Sequence, residues 1–457
     1  MRRKVVSVLA ALCMPAILFA GGLVTNTNQS ASFIRMPALD AIIGVEGVYY
    51  NPAGLVKLEN GLYVSLSNQI VNQKRNVSST FPTLNNGDYE GIVKAPLFPS
   101  AFVAYKADKF VFSFAFNPIG GGGGAEYGSG LPSFETMVSQ LPALVSGFGI
   151  PTTAYSLDIF FKGSSTYFGY QGGVSYAVTD AIGVFGGVRY VTASNTYSGN
   201  INDIMINPQH PLVNPTGGMM LASSFFTAIG QPVYAAMTSD AEVDVVQKGS
   251  GVTPILGLSV IASEKLNFGL KYEFKTKMEL TTETKVDGTG QFPDGEVVPN
   301  DMPAMLTFGI GYKPIEKLSL SGGFHYYFDK SANYGKKIGG AFVENSEVID
   351  NNFWEAAFGL EYMITDKIFA SAGCLLTKTG VNDKYQSDMS HSLNTNSVGL
   401  GGKYLVTENL GVNIGFMTTM YKEYKKDYAA VAPATPAYSE TYNRSNMVIA
   451  LGIDYKF

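Results

Sequence analysis

The chain has 457 residues, of which only 15% are charged, and its formal net charge at pH 7 is −5. A mildly negative charge that is spread along the chain argues against nucleic acid as a partner. The sequence also contains 51 glycines, 27 tyrosines and 29 phenylalanines, a composition that suits a β protein with many aromatic contacts.

Residues 1–20 have the pattern of a secretory signal peptide. Two arginines and a lysine precede an apolar run from Val5 to Ala20, and small residues follow. We predict cleavage near Ala20. After that point no uninterrupted apolar run approaches the roughly 18 residues that a spanning helix needs. The exported chain is therefore either a large secreted β protein or an outer-membrane barrel.

Residues 21–60 come next and show no clean helix or strand period. They end in the sequence Asn51-Pro52-Ala53-Gly54, which is a turn by its chemistry: asparagine opens it, proline presets φ, and glycine relieves the fourth position. An ordinary loop is one interpretation of this segment. The rest of the chain favours another.

From residue 61 onward, apolar and polar residues alternate over stretches of about nine to eleven residues, the length of a tilted membrane strand. The last stretch shows this most clearly. One of its faces carries Met447, Ile449, Leu451, Ile453, Tyr455 and Phe457. Aromatic residues mark the ends of such stretches, as expected where strands cross a membrane interface. The alternation therefore favours the barrel over the secreted protein.

The connections between these stretches are of two alternating kinds. Tight polar turns such as KADK, TDK and TEN occur six times. Long variable connections occur seven times, at residues 72–97, 118–163, 199–250, 287–302, 331–351, 381–393 and 425–443. Short turns on one side and long loops on the other are typical of membrane barrels. We predict an all-β fold, a transmembrane antiparallel β-barrel of about fourteen strands that takes up residues 61–457.

A barrel of this size has a lumen too wide for side chains alone to fill. The lumen is therefore either an open water channel or plugged by another part of the chain. Residues 21–60 are apolar enough to pack there and rich enough in turns to fold back, so we predict that they form a hatch. The predicted hatch residues are Phe33, Arg35, Met36, Leu39, Asn51, Pro52, Ala53 and Gly54.

The chain resembles the FadL/TodX-type family of outer-membrane transporters for long-chain fatty acids and other hydrophobic compounds. The stretches NQSASFIRMPALDAIIGVEGVYYNPAGL and NDMPAMLTFGIGYKP carry this resemblance. It implies a fourteen-stranded barrel with an N-terminal hatch, a first groove for substrate in the outer loops, and an inward kink in the third strand.

The third predicted strand contains the stretch FVFSFAFNPIGGGGGAEYG. Proline donates no hydrogen bond to a ladder, so we expect pairing to end there. One interpretation is a flexible loop entry at the outer end of the strand. The other, which the family resemblance favours, is a lateral opening from the lumen to the membrane. The residues of this predicted opening are Phe116, Asn117, Pro118, Gly120, Gly121 and Gly122.

Two long connections carry apolar residues where we expect the outside of the cell. Exposed apolar patches of this size generally bind a ligand or partner. The two loops can also pack on each other as a cap, and both interpretations can hold together. The predicted substrate-contacting residues are Phe134, Met137, Leu141, Leu144 and Phe148 in the first connection and Met219, Met220, Phe225, Phe226 and Ile229 in the second.

Neither a catalytic nor a metal-binding pattern is found in the sequence. The glycine run lacks the Lys-Ser/Thr of a phosphate-binding loop, and no Ser-His-acid set or zinc-ligand spacing occurs. We expect no enzyme activity and no cofactor or metal. Arg35 is expected to pair with Asp40, Glu46 or an acid of the lumen, with a substrate carboxylate as the alternative.

These observations predict passive uptake of hydrophobic compounds, above all long-chain fatty acids, across the outer membrane of a Gram-negative bacterium. The substrate would adsorb at the outer loops, bind beside the hatch and leave sideways into membrane lipid. We expect a monomer whose last strand, ending at Phe457, is recognised by the barrel-assembly machinery. The alternatives are a general porin, a membrane-embedded lipase, and a surface adhesin or structural barrel.

Overall fold

The alternating stretches form one closed sheet in the computed structural model, which describes residues 23–431 and 435–457. The predicted signal peptide lies outside the described residues. In chain order the strands are β1 Gly61–Ser79, β2 Asp88–Ala107, β3 Phe110–Tyr127, β4 Tyr155–Ala177, β5 Ile182–Ile206, β6 Ala241–Ser263, β7 Leu266–Glu273 with its continuation Glu279–Asp287, β8 Met305–Ile315, β9 Leu318–Tyr327, β10 Trp354–Thr365, β11 Ile368–Lys378, β12 Thr395–Leu405, β13 Leu410–Tyr421 and β14 Tyr438–Lys456. Each strand pairs antiparallel with the next, and β14 pairs with β1. The predicted antiparallel barrel of about fourteen strands is confirmed.

Short helices and strands complete the described part of the chain. The helices are α1 Ala31–Arg35, α2 Gly47–Tyr50, α3 Pro132–Ser139, α4 Leu141–Gly147, α5 Ala222–Ala228, α6 Pro232–Met237 and α7 Asn345–Val348, with 3₁₀ turns at Pro52–Lys57 and Asp329–Ser331. The short strands are Met220–Leu221, Val297–Pro299, Lys337–Ile338, Ala341–Phe342 and Tyr424–Tyr428. Over residues 23–431 and 435–457, no helix has the length and apolar character to cross a membrane.

Short turns follow the even-numbered strands, and long connections follow the odd-numbered ones. Several of the predicted loops are shorter than expected. The strands β1 and β2 pair as far as Ser78 with Asp88, so residues 80–87 connect them rather than 72–97. Likewise β3 continues to Tyr127. The strands extend above the apolar band of the wall, and there their outward residues are polar. Polar outward residues lack the alternation that marks a membrane strand, which is why the predicted loops are too long.

The outward face of the barrel is apolar and exposed. Phe112, Phe308, Ile414 and Leu451 leave 53%, 44%, 55% and 56% of their surface uncovered. Soluble proteins rarely expose an apolar surface of this extent. The inward face carries many buried polar residues instead, so the wall has the two-sided pattern of a barrel that is surrounded by lipid.

The N-terminal segment, residues 23–60, is buried against the inward faces of the strands. Its residues from Val45 to Val56 are all buried, as are those from Leu23 to Ala41. Helix α1 contacts β12, β13 and β14, whereas the 3₁₀ turn contacts β4, β5 and β6. The segment therefore reaches from one part of the wall to another.

Inward-facing glycines let the wall approach this segment closely. Gly309 of β8 lies opposite both Gly269 of β7 and Gly323 of β9. A Cβ at Gly309 would lie 2.3 Å from the carbonyl carbon of Asp40, and one at either neighbour would lie 2.1 Å from an Asp40 oxygen. Further glycines at which a Cβ would meet the segment are Gly183, Gly257, Gly359, Gly373, Gly399, Gly415 and Gly452. The wall thus approaches the segment closely, and at Gly269, Gly309 and Gly399 it does so backbone to backbone.

The row of glycines predicts the effect of adding one methyl group. Gly309→Ala is expected to destabilise the folded barrel by roughly 1–3 kcal/mol, because the new Cβ overlaps Asp40 and neither backbone yields easily. Thermal unfolding of the purified protein, with protease cleavage of the N-terminal segment as a second readout, measures this. Gly186→Ala is the matched control, since a Cβ there meets nothing within 4 Å. Equal unfolding temperatures for the two variants would contradict the prediction.

Candidate functional site: the lumen and its wall opening

The wall is interrupted between β2 and β3. These strands pair at Gly91–Val93 with Ala125–Tyr127 and again at Ala101–Ala107 with Phe110–Phe116. Between these two paired stretches, β2 and β3 form no ladder pairs. Backbone groups that face hydrocarbon without a partner cost several kcal/mol each. This part of the wall therefore needs another source of hydrogen bonds.

Through the same stretch β3 keeps its pairing with β4, but with two bulges. Ile119 and Gly122 are the extra residues at the two register shifts. Gly121 and Gly123 have φ angles of 80° and 66°, in the left-handed region that favours glycine. Bulges bend a strand, and residues 117–122 are all buried. The bulged stretch therefore turns away from the membrane.

The pairing that was expected to end at Pro118 ends on one side only. Toward β2 the ladder stops after Phe116, whereas toward β4 it continues to Tyr127. The stretch is accordingly part of the wall rather than the start of a loop. The Phe116 ring lies at the end of the paired region and stacks on Phe168, with ring centroids 5.5 Å apart.

The N-terminal segment supplies the hydrogen bonds that β2 does not. The backbone N–H of Asn26 donates to the carbonyl of Ile119 at 2.8 Å, and its side-chain amide donates to Gly121 at 2.9 Å. Gln29 donates to the carbonyl of Pro118 at 3.0 Å. The bent part of β3 and the N-terminal segment therefore stabilise each other.

Arg35 anchors the segment to the barrel. Its guanidinium forms an ion pair with Glu361 of β10 and donates to the hydroxyl of Ser371 of β11 at 2.8 Å. The expected partners were Asp40, Glu46 or an acid of the lumen. The partner in the structure is the lumen acid, Glu361. The bond to a substrate carboxylate, given as the alternative, is not needed to explain this arginine.

A second anchor joins the segment to β9 and β10. His325 lies between Asp40, at 2.9 Å, and Glu355, at 3.1 Å. Tyr327 also donates to Glu355 at 2.7 Å. All four side chains are buried, so this network holds Asp40 where the glycine row accommodates it.

The Asn51–Gly54 turn contacts the opposite part of the wall. The side chain of Asn51 donates to the carbonyl of Ile42 at 3.1 Å, and the carbonyl of Pro52 accepts from Ser175 at 2.7 Å. The other predicted hatch residues in and before this turn are buried. They are Phe33, which stacks on Tyr50, and Met36, Leu39, Ala53 and Gly54.

The two apolar loops pack together above the barrel. One buried cluster contains Leu141, Phe225 and Phe226, and Leu144, Met220 and Ile229 pack against it. Phe134 stacks edge-on to Phe161 instead, at 5.3 Å. Only Phe148 and Met219 are largely exposed, at 45% and 42%. Most of the predicted contact residues thus pack in a cap, which is compatible with a substrate groove in the same loops.

Cavities nevertheless run between these loops and into the barrel. One cavity has a volume of about 500 Å³ and is lined by Met137, Leu144 and Met237 of the loops. It shares Met137 and Met237 with a cavity of about 200 Å³, which also touches Phe134 and Ile201. Phe134 and Ile201 also line a third cavity of about 50 Å³. The three cavities share walls in succession from the loops inward.

The third cavity is lined almost entirely by apolar side chains. Sequence reasoning found Phe134 but missed the other members, because they come from separate strands and loops. The missed lining residues are Phe160, Phe161, Ile201, Val243, Phe292 and Met389. The adjacent aromatic residues Phe160 and Phe161 are the local sequence feature that could have indicated this pocket.

Two buried arginines face the lumen from β1 and β14. Arg75 and Arg444 lie directly opposite each other in the sheet. Arg444 donates to His391 at 3.1 Å, and Arg75 donates to Gln73 at 2.8 Å. In the part of the chain that the structure describes, the Nη2 of Arg75 has no hydrogen-bond partner. Sequence reasoning missed this pair, since only the register brings the two side chains together.

His391 belongs to the loop above these arginines. Burial, together with the positive charges of Arg444 and Arg75, holds its pKa well below the usual range. The imidazole is therefore neutral at neutral pH and adds no charge of its own. The positive charge of the site comes from the two guanidinium groups.

Comparisons with known proteins match this architecture. Neither a family model nor a curated protein sequence matches the chain. Among solved structures, a Pseudomonas aeruginosa FadL homologue is 14% identical with a TM-score of 0.64, covering 97% of this chain and 100% of its own. The chain has the fold of a FadL-type barrel.

Two toluene transporters have the same fold. TodX of Pseudomonas putida is 16% identical with a TM-score of 0.58, and TbuX of Ralstonia pickettii is 17% identical with a TM-score of 0.55. Each alignment covers 94% of this chain and 98% of the other. The expected resemblance is therefore confirmed at the level of the fold.

Burial of the N-terminal segment generates a prediction about ion flow. Deleting Asn26 to Gly47 while keeping the barrel is expected to raise single-channel conductance sharply, since the deletion removes most of the buried segment. Planar bilayers measure this directly. A full-length chain that already conducts as strongly as the deletion variant would contradict the prediction and favour an open porin.

Proposed function

We propose that this protein carries hydrophobic molecules passively across the outer membrane of a Gram-negative bacterium. The observation that carries the proposal is a series of mostly apolar cavities inside a barrel whose wall is interrupted between β2 and β3. The known transporters that share the fold support it. The apolar outward face supports the membrane location.

In this proposal the substrate enters between the loops that contain Met137 and Met237. It then moves along the shared cavity walls past Phe134 to the pocket beside Phe292. Methionine suits such a route because its side chain is flexible and polarisable. Burial of alkyl groups supplies the affinity, at about 0.8 kcal/mol for each CH₂ removed from water.

The N-terminal segment acts in this proposal as a hatch that denies ions and sugars an open lumen. The substrate leaves through the gap between β2 and β3 and enters the hydrocarbon of the membrane. A molecule without charge crosses such a gap readily, whereas a sugar loses its hydrogen bonds to water. Side release therefore fits hydrophobic cargo and argues against a general porin.

We further propose that long-chain fatty acids are among the substrates. The support comes from Arg75, whose Nη2 has no hydrogen-bond partner within the described residues while Arg444 lies opposite. Leaving an N–H group of a buried guanidinium without a hydrogen-bond acceptor is costly. A carboxylate is planar and accepts the paired N–H groups that arginine presents.

We also propose that the protein acts as a monomer and not as an enzyme. Its closed sheet leaves no edge strand for association. The terminal residue, Phe457, is 68% exposed at the end of β14. This exposure supports the proposal that the barrel-assembly machinery recognises the last strand.

Restoring regular strand geometry in the bent stretch of β3 tests whether the substrate leaves through the gap between β2 and β3. The variant Pro118→Thr/Gly121→Val/Gly123→Val removes the residues that permit the bulges, because β-branched side chains disfavour a positive φ. We expect uptake of oleate to fall at least about tenfold in cells that lack another transporter of this kind, because the closed wall blocks side release.

Two controls accompany the wall variant. Gly172→Val in the neighbouring strand is expected to transport normally, since a Cβ there meets nothing within 4 Å. Heat-dependent gel migration of the wall variant confirms that its barrel has folded. Oleate uptake equal to that of the parent by a folded wall variant would show that substrate does not leave at this gap.

Replacing Arg75 tests the acid preference. Arg75→Gln is expected to weaken oleate binding by about tenfold or more, since a hydrogen bond to a charged group contributes roughly 1.5–3 kcal/mol. Binding of oleyl alcohol, measured by calorimetry on the same protein, is expected to stay within about twofold. Lys74→Gln is the control, because this neighbouring side chain is 58% exposed. Equal losses for acid and alcohol would contradict a carboxylate at Arg75.

A further inference from the structure

A row of polar side chains crosses four neighbouring strands just inside the wall opening. Ser165, Asn195, Gln247 and Thr282 lie opposite one another in register on β4, β5, β6 and β7. All four are buried, with Asn195 7% and Gln247 0% exposed. A row of buried polar side chains beside an otherwise apolar substrate path requires an explanation.

Two acceptors in this row have no donor among residues 23–431 and 435–457. Gln247 uses its amide N–H to donate to Thr282 at 3.1 Å, and its Oε1 then has no partner within the described residues. The Oδ1 of Asn195, on the adjacent strand, likewise has none there. Leaving a buried acceptor unpaired costs about 1–3 kcal/mol. Both amide oxygens can therefore accept a hydrogen bond from a ligand.

Both residues line a cavity of about 50 Å³. This volume exceeds what one water needs but is far below that of a benzene-sized cavity. It accommodates the polar end of a ligand and not the whole molecule. The remaining lining includes Tyr197, Leu280 and Tyr385, which are suited to pack against an apolar body.

The cavity lies between the apolar pocket and the exit. Tyr197 in its lining stacks on Phe292 of the apolar pocket, with ring centroids 5.5 Å apart. On the other side, Ser165 and Tyr167 line it and pair directly with Gly123 and Gly120 of the bent strand. A molecule that moves from the apolar pocket to the gap in the wall therefore passes the polar row.

We infer that Asn195 and Gln247 form a binding site for the neutral O–H group of a hydrophobic molecule, such as an alcohol, a phenol or a protonated carboxylic acid. Amide oxygens accept such a proton donor and repel a carboxylate anion. Lys336 also lines the cavity and carries a positive charge, so it disfavours a cationic amine and is the group that a carboxylate would bind in place of the two amide oxygens. The inference rests on the proposed function and names the substrate chemistry at the exit.

Three ligands with the same ring test the site on the full purified chain in detergent. p-Xylene, p-cresol and p-toluate differ only in carrying a methyl, a hydroxyl or a carboxylate group. We expect p-cresol to bind about tenfold more tightly than p-xylene, because a site built to bond a hydroxyl rejects the analogue that lacks it. Calorimetry or ligand-detected NMR at neutral pH measures the three affinities.

The variant Asn195→Leu/Gln247→Met removes both acceptors at similar volume. It is expected to abolish the preference for p-cresol while p-xylene still binds, which also shows that the barrel remains folded. Binding of p-toluate is expected to be unchanged. Thr307→Val is the matched control, because it removes another buried and unpartnered oxygen away from this cavity and should leave the preference intact.

Each other outcome decides against the inference. Equal binding of p-cresol and p-xylene by the parent protein would overturn it and leave the proposed function standing. Failure of every ligand to bind would overturn both. Loss of p-toluate binding in the double variant would identify an anion site instead. A crystal structure with p-cresol elsewhere and only water at Asn195 and Gln247 would also overturn it.

Discussion

The structure depends on the rule that backbone groups facing hydrocarbon must be paired. Most strand pairs form continuous or locally bulged ladders. The pair β2–β3 has a long interruption, and the pair β6–β7 is also interrupted, between the pairing of Gly249 with Leu280 and that of Ile255 with Glu273. The carbonyls of Pro118, Ile119 and Gly121 bond instead to Asn26 and Gln29. The opening in the wall and the N-terminal segment are therefore energetically coupled, and neither is expected to persist without the other.

The segment in turn depends on how closely the wall can approach it. Glycines such as Gly309 let Asp40 rest on the sheet, and His325 and Arg35 connect the segment to polar wall residues. Because these anchors are charged or polar and fully buried, they fix one position of the segment rather than many. The space that remains is the set of cavities through which the proposed substrate moves.

Sequence reasoning predicted the barrel well because its signals are local. A period of two, the connection lengths and the proline–glycine stretch of β3 can each be read within a few residues. In the outer loops it left a cap and a substrate groove both open, and residues such as Phe225 and Phe226 are buried in a cap. Apolar character shows that a side chain leaves water, but not whether a ligand or another loop covers it.

The sequence by itself determined the fold class, the strand number and the presence of an irregular third strand. Only the tertiary structure decided which side chains lie side by side on the inward face of the wall, as Arg75 with Arg444 and Asn195 with Gln247 do, and that His325 meets Asp40 of the N-terminal segment. The physical reason is register. A shift by one residue moves every side chain of a strand to the other face of the sheet, so these pairs depend on how the whole barrel closes.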